Sequence, residues 1–127
     1  MIVINMPGGA VQDIDECDLL WLRKAFDPEW KGATMLQLAE DRIYSIESVA
    51  DLAEKFENAN AACADFSAPD VNGLKLVVST KRVRQVVESN PAIYHKMAKS
   101  VLIFSTKLRL AVRETPDEAR QKLQEAE

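Results

Sequence analysis

The chain has 127 residues, 47% hydrophobic and 28% charged, with 16 Lys and Arg against 20 Asp and Glu. That length supports a single domain, residues 1–127, with one substantial core, and the composition excludes a disordered chain. No apolar run reaches the roughly 18 residues of a membrane helix, and the N-terminus lacks the basic, apolar and cleavage segments of a leader, so the sequence reads as a soluble cytoplasmic protein with no membrane partner.

In chain order, residues 1–6 (MIVINM) predict an opening strand turned by Pro7-Gly8-Gly9. A glycine pair after a strand can cradle phosphate on its amides, but no third glycine and no Lys-Ser or Lys-Thr follows, which leaves an ordinary turn. Asp13, Asp15, Glu16 and Asp18 then precede an apolar stretch. They read as first-turn acids of a helix from about Asp15 to Phe26, with Leu19, Leu22 and Phe26 on one stripe, Cys17, Leu20 and Trp21 beside it, and Pro28 as the stop. The same acids lack the central glycine and terminal glutamate of a calcium loop. Residues 34–39 and 42–47 predict a hairpin around Glu40-Asp41. It runs into a helix capped by Ser48, with Val49, Leu52 and Phe56 inward. Residues 68–73 (APDVNG) are turn chemistry throughout.

From Leu74 to Arg113 the strand signal is strongest. Leu74, Leu76 and Val78 alternate; a second strand follows over residues 82–88, with Val83, Gln85 and Val87 on one face and Arg82, Arg84, Val86 and Glu88 on the other; Ser100 to Ser105 (SVLIFS) reads as a strand covered on both faces; and Leu108, Leu110 and Val112 alternate with Arg109, Ala111 and Arg113 in a hairpin with it. Between them, Pro91 to Ala98 reads as one or two turns of helix or as an exposed loop. Thr115, Pro116 and Glu118 make the clearest helix start in the chain, and the short charged helix behind it offers Ala119, Leu123 and Ala126 as its inward stripe.

Charge is divided unevenly. Residues 74–113 hold nine Lys or Arg against the single acid Glu88, whereas residues 1–73 hold five bases against fourteen acids. One explanation is complementarity within the fold, acidic helices covering a basic sheet. The other is a basic face for nucleic acid or another polyanion, for which Lys81, Arg82, Arg84, Lys96, Lys99, Lys107, Arg109 and Arg113 are the candidate contacts. An acidic pI of about 5.1 and the want of an aromatic pair among these bases weigh against nucleic acid.

Catalytic and metal chemistry find little to work with. Cys17 and Cys63 read as reduced thiols in apolar surroundings, His95 is the lone histidine, and no nucleophile has a visible base. No catalytic residue, no metal and no cofactor is expected. Residues 34–56 and 101–123 echo each other at an offset of 67, pairing Arg42 with Arg109, Glu47 with Glu114, Ser48 with Thr115, Asp51 with Glu118, Lys55 with Lys122 and Phe56 with Leu123. Two strand-strand-helix units sharing a layout follow, each hairpin hiding one face under its own helix and leaving the other face free. The expected fold is α+β, an antiparallel sheet built from those two units with an N-terminal strand and helix.

The Ser79-Thr80-Lys81-Arg82-Val83 link, the strand ending in Val87-Glu88-Ser89 and the Arg113-Glu114-Thr115 cap resemble the FlbD flagellar regulatory family. More loosely, residues 34–113, with their Glu47-Ser48 cap after a hairpin, resemble the LytTR class of bacterial DNA-binding domains. The second resemblance implies a mostly β fold that meets DNA through loops and strand ends; the basic stretch which that class carries before its next strand is replaced here by residues 66–73, which hold no base. Taken together, the residues predict a non-catalytic interaction or regulatory module of bacterial type. It would bind a protein partner or itself through a sheet face or edge, as a homodimer or other homo-oligomer. The alternative is a nucleic-acid-binding regulator using residues 74–113.

Overall fold

A computed structural model describes residues 2–71 and 73–126; Met1 of the opening strand and Asn72 of the 68–73 turn lie outside the described residues. The described chain is α+β, with ten strands and three α-helices. In order these are β1 (Ile2–Asn5), β2 (Val11–Ile14), β3 (Leu19–Lys24), α1 (Asp27–Trp30), β4 (Thr34–Leu38), β5 (Arg42–Ser45), α2 (Val49–Asn58), β6 (Cys63–Ser67), β7 (Lys75–Ser79), β8 (Gln85–Glu88), β9 (Ser100–Ile103), β10 (Arg109–Val112) and α3 (Pro116–Glu125). Single 3-10 turns at Glu16–Asp18 and Thr80–Arg82 lead into β3 and β8. No helix among the described residues is long and apolar enough to cross a membrane.

The element order is one unit written twice: a hairpin, a 3-10 turn, a three-stranded meander and a helix. The first unit is β1-β2, β3-β4-β5 and α2; the second is β6-β7, β8-β9-β10 and α3. Helices α2 and α3, at 49–58 and 116–125, are displaced by 67 residues at both ends. Registers agree as well. Lys24 opposite Thr34 opposite Ser45 in the first meander corresponds to Glu88 opposite Ser100 opposite Val112 in the second. Thr34 Oγ1 and Ser100 Oγ each donate at 2.7 Å to the carbonyl of the glutamate before the helix cap, Glu47 and Glu114. Each cap is occupied, Ser48 Oγ by the Asp51 N–H and Thr115 Oγ1 by the Glu118 N–H. In α3 the Glu118 carboxylate returns to the Thr115 N–H at 3.0 Å, completing a reciprocal box.

The two units are fused by one strand pairing. β7 of the second unit pairs antiparallel with β3 of the first, Trp21 opposite Val78 and Leu22 opposite Val77, giving a five-stranded sheet in the order β5-β4-β3-β7-β6. One face of that sheet packs Leu22, Leu36, Ile43 and Val77 against Leu52 and Phe56 of α2 and Ile2, Ile4 and Ile14 of the first hairpin. The other packs Trp21, Met35, Phe66 and Val78 against Leu102 and Val112 of the second meander and Ala119 of α3. The ring of Trp21 meets that of Phe104 at 5.2 Å between centroids, tilted by 40°. The first meander's outer face is therefore not free, because the second unit lies on it.

Two expectations are corrected. Residues 15–26 are not a helix: only Glu16–Asp18 turn, with Asp15 Oδ1 accepting from the Cys17 N–H at 2.9 Å, before β3 begins. A register shift between Leu19 and Trp21 explains the helical spacing. The bulge returns Leu19 and Leu22 to one face at an interval of three and sends Leu20 and Trp21 to the other, so a strand buried on both faces imitates a helical stripe. Cys17 is consequently exposed on the turn instead of packed inside, whereas Cys63 is half-buried. Of the two alternatives for residues 91–98, the structure has the loop, built of turns without a helix. Strands β2 and β6 were not expected; each is short, β2 with polar residues at two of its four positions and β6 with small or charged residues everywhere but Phe66.

Candidate functional site

Each hairpin has an outer and an inner edge, and the outer one is sealed by its own unit. On β1, Asn5 O accepts from the Ile46 N–H at 3.0 Å, the Asn5 N–H donates to Glu47 Oε2 at 3.2 Å, and Lys55 Nζ donates to Val3 O at 3.0 Å. On β6 the same three groups recur: Ser67 O accepts from the Arg113 N–H at 3.0 Å, the Ser67 N–H donates to Glu114 Oε1 at 2.9 Å, and Lys122 Nζ donates to Asp65 O at 2.6 Å. Burial pushes the Glu47 carboxyl up, but the Lys55 ammonium, the Asn5 N–H and Ser45 together hold it below its ordinary value.

The inner edges differ. That of β7 is filled by β3. That of β2 has no strand partner among the described residues, and neither has the matching edge of β8, which pairs only with β9. On β8 the Val86 carbonyl points away from β9 and accepts from Arg120 NH2 of α3 at 3.2 Å, while NH1 of the same arginine reaches the fully exposed Asp117 at 3.4 Å. In an antiparallel strand the N–H and C=O of one residue face the same side, so the Val86 N–H shares this open side.

Beside the β2 edge lies a cleft of about 680 Å³ lined by Asp13, Asp15, Asp18, Glu40, Asp41 and apolar neighbours including Ile14 and Leu38. Around β8 the sign reverses. Lys81 and Arg84 are exposed and Arg82 half-buried on the turn leading into the strand; Lys107 and Arg109, both exposed, sit across the sheet, since Gln85, Ile103 and Arg109 share one row of the register. These five form one basic end. Lys96 and Lys99 belong to the opposite end, on the exposed loop before β9. Arg113 is structural: its Nε donates to Ala68 O at 2.6 Å and NH2 to Pro69 O at 3.4 Å, pinning the turn between β6 and β7.

Acidic helices do not cover these bases. Among the described residues none of the eight forms an ion pair with a carboxylate; the bridges are Arg23–Glu29, Arg42–Glu29, Lys55–Glu47, Lys75–Asp65 and Arg120–Asp117, each within one unit. Arg82 is the nearest to an exception. Asp15, by charge and hydrogen bond, raises the Cys17 thiol above its ordinary value, and Arg82 lies close enough to oppose it. The two 3-10 turns are therefore neighbours.

A second cleft, about 370 Å³, opens between the first meander and the 93–95 loop, bordered by Trp21, Arg23, Arg42, Tyr94 and His95. Its cations are already engaged. Glu29 accepts from Arg23 NH1 at 2.8 Å, the Phe26 N–H at 2.9 Å, Tyr44 Oη at 3.1 Å and Arg42 NH1 at 3.2 Å. The Arg23 hydrogen bond, against the opposing effect of burial and helped by Phe26 and Tyr44, holds the Glu29 carboxyl down at about 2. His95 Nδ1 accepts the Met97 N–H at 3.1 Å, a turn contact. Burial, then Glu57 and Asp65, push the Cys63 thiol up to about 11, which leaves it an inert neutral thiol. Among the described residues no three His, Cys, Asp or Glu side chains gather as metal ligands.

The β2 and β8 edges were missed in the sequence because β2 was absorbed into a supposed helix start. The offset of 67 does not reach them, because β3 matches β8 at an offset of 64, Leu22 with Val86, and the loops between the strands of the two meanders differ in length. No family model, no curated protein and no solved structure matches this chain.

Proposed function

We propose that the protein is a non-catalytic interaction module that takes up a strand of another polypeptide along the β8 edge. One observation carries this: β3 and β8 are the same strand of the same unit, and β3 is closed by an added hairpin while the open edge of β8 meets, among the described residues, only Arg120. Edge strands invite such addition, in which main-chain hydrogen bonds give affinity and flanking side chains give specificity. The flanking residues here are cationic, so the partner strand carries acids.

A second reading draws on the same bases. Five cations at one end, none of them ion-paired among the described residues, suit phosphates, making the module a nucleic-acid-binding regulator. Two measurements separate them. For the strand reading, amide exchange of isotope-labelled protein is followed in buffer and in cell extract; a bound strand slows exchange along β8 and leaves β3 unchanged, and a Val86→Pro variant, which removes an outward N–H that an edge strand can spare, loses that protection. For the phosphate reading, a labelled mixed-sequence duplex is titrated at two salt concentrations. Micromolar binding that collapses as salt rises, and is lost on replacing Arg82, Arg84 and Arg109 by Ala, would put nucleic acid in place of the strand.

A further inference from the structure

We infer that the strand taken up by β8 is β2 of a second copy of this chain, so that molecules join head to tail and repeat between copies the junction that fuses the two units within one. This rests on the strand-uptake reading above and names its partner.

The internal junction supplies the register. In it Leu22 faces Val77 and Trp21 faces Val78. Matching the hairpins through their sealed edges makes Asn5 equivalent to Ser67, and hence Val11 to Lys75, Asp13 to Val77 and Ile14 to Val78. Matching the meanders makes Leu22 equivalent to Val86 and Trp21 to Gln85. Val86 therefore faces Asp13 of the second copy, and Gln85 faces its Ile14. Backbone polarity agrees on both sides. Val86 O lies on the open side of β8, and Val3 O, opposite Asp13 in the hairpin, is turned outward to Lys55, which turns the Asp13 N–H and C=O outward on the other side.

Side chains fit the same placement. Val77 packs under α2 with Leu22, Leu52 and Phe56. The carboxylate that replaces it, Asp13, would lie under α3, where Arg120 already reaches Val86 and can exchange that carbonyl for the carboxylate. Trp21 reaches the turn that begins at Phe104, whose counterpart in the first unit begins at Leu38. In the junction between copies Gln85, with Arg84 beside it, therefore enters the acidic cleft of about 680 Å³ lined by Asp18, Glu40 and Asp41. The basic turn Lys81-Arg82 meets the acidic turn of the second copy as Arg82 meets Cys17 within one chain. The first unit, residues 1–61, carries five bases and twelve acids, and the second eleven and eight, so each copy offers opposite signs at its two ends. A junction between unlike surfaces propagates as a ring or a filament and does not close a two-fold dimer.

The test is light scattering and sedimentation of the full chain from micromolar to millimolar concentration, with two edge-blocked variants whose folding is checked by thermal melting. Mass is expected to rise with concentration for the wild type. Val86→Pro and Asp13→Pro each stay monomeric alone, yet mixed they form a one-to-one dimer, because each retains the edge the other lacks. Arg84→Glu, which leaves the backbone intact, weakens association by about tenfold or more, and adding Glu40→Lys and Asp41→Lys to that chain restores it. A wild type that stays monomeric throughout overturns the inference, as does an Asp13→Pro variant that associates like the wild type, since that would join two β8 edges. Monomers in buffer whose β8 is protected in extract would refute the second copy as partner and leave strand uptake standing; monomers without such protection would refute both.

Discussion

The two units share a layout and differ in what closes them. In the first, β3 is an interior strand: Leu22 is fully buried between α2, the first hairpin and the neighbouring strands. In the second, its counterpart Val86 is only half-buried at an edge, touched by the terminal helix. An equal layout thus yields unequal burial, and the strands differ to match: Trp21, apolar in β3, is replaced by Gln85 in β8. The charged belts differ in the same way. Arg42 is engaged by Glu29, whereas its counterpart Arg109 has no carboxylate partner among the described residues.

Truncation should expose that inequality most strongly. Leu22→Ala is expected to cost about 3–4 kcal/mol and Val86→Ala about 1 kcal/mol, because only the first leaves a cavity between two packed layers. Urea denaturation of both variants measures the pair, and equal costs would show that β8 is closed in solution. Acid is the next lever. Glu29 holds its proton less tightly folded than unfolded, so its stabilisation is complete above pH 4.5 and is lost as pH falls toward 2. The contribution at stake is about 3 kcal/mol, and the matching loop of the second unit, residues 89–99, holds no acid to supply a counterpart. Thermal melts of wild type and Glu29→Gln should therefore differ at neutral pH and converge as the pH is lowered.

The sealed edges give a smaller effect. Glu47→Gln and Glu114→Gln both disturb a carboxylate that holds a hairpin's backbone, and Glu47 also loses the Lys55 bridge, so it should cost about 1–2 kcal/mol and Glu114 about 1 kcal/mol. Chemical denaturation reads the difference. Least of all, Arg84→Ala and Arg109→Ala should change stability by less than about 0.5 kcal/mol, since both are exposed and unpaired by acids. A loss beyond 1 kcal/mol in either would show that they support the fold.

Much of the fold was legible where local chemistry decides. The caps at Ser48 and Thr115, the alternation in β7 and β10 and the echo between Lys55 and Lys122 all follow from residues a few positions apart. What could not be read depends on distant contacts. Leu19 to Leu22 looked helical because a bulge restores a spacing of three, and only the arrival of β7 on one side and β4 on the other makes that stretch a strand. The basic residues were found by type, but their division into one edge-flanking group, a remote loop pair and the structural Arg113 required the register. The acidic cluster at residues 13–18 was taken for a helix start because capping acids and an acidic cleft have the same composition.

The most direct measurement is amide exchange along β3 and β8 in the purified protein as its concentration is raised. Exchange at β3 should be slow throughout, and exchange at β8 fast in dilute solution and progressively slower as copies add their β2 strands. A β8 edge whose exchange is independent of concentration would contradict the head-to-tail junction, whichever rate it showed.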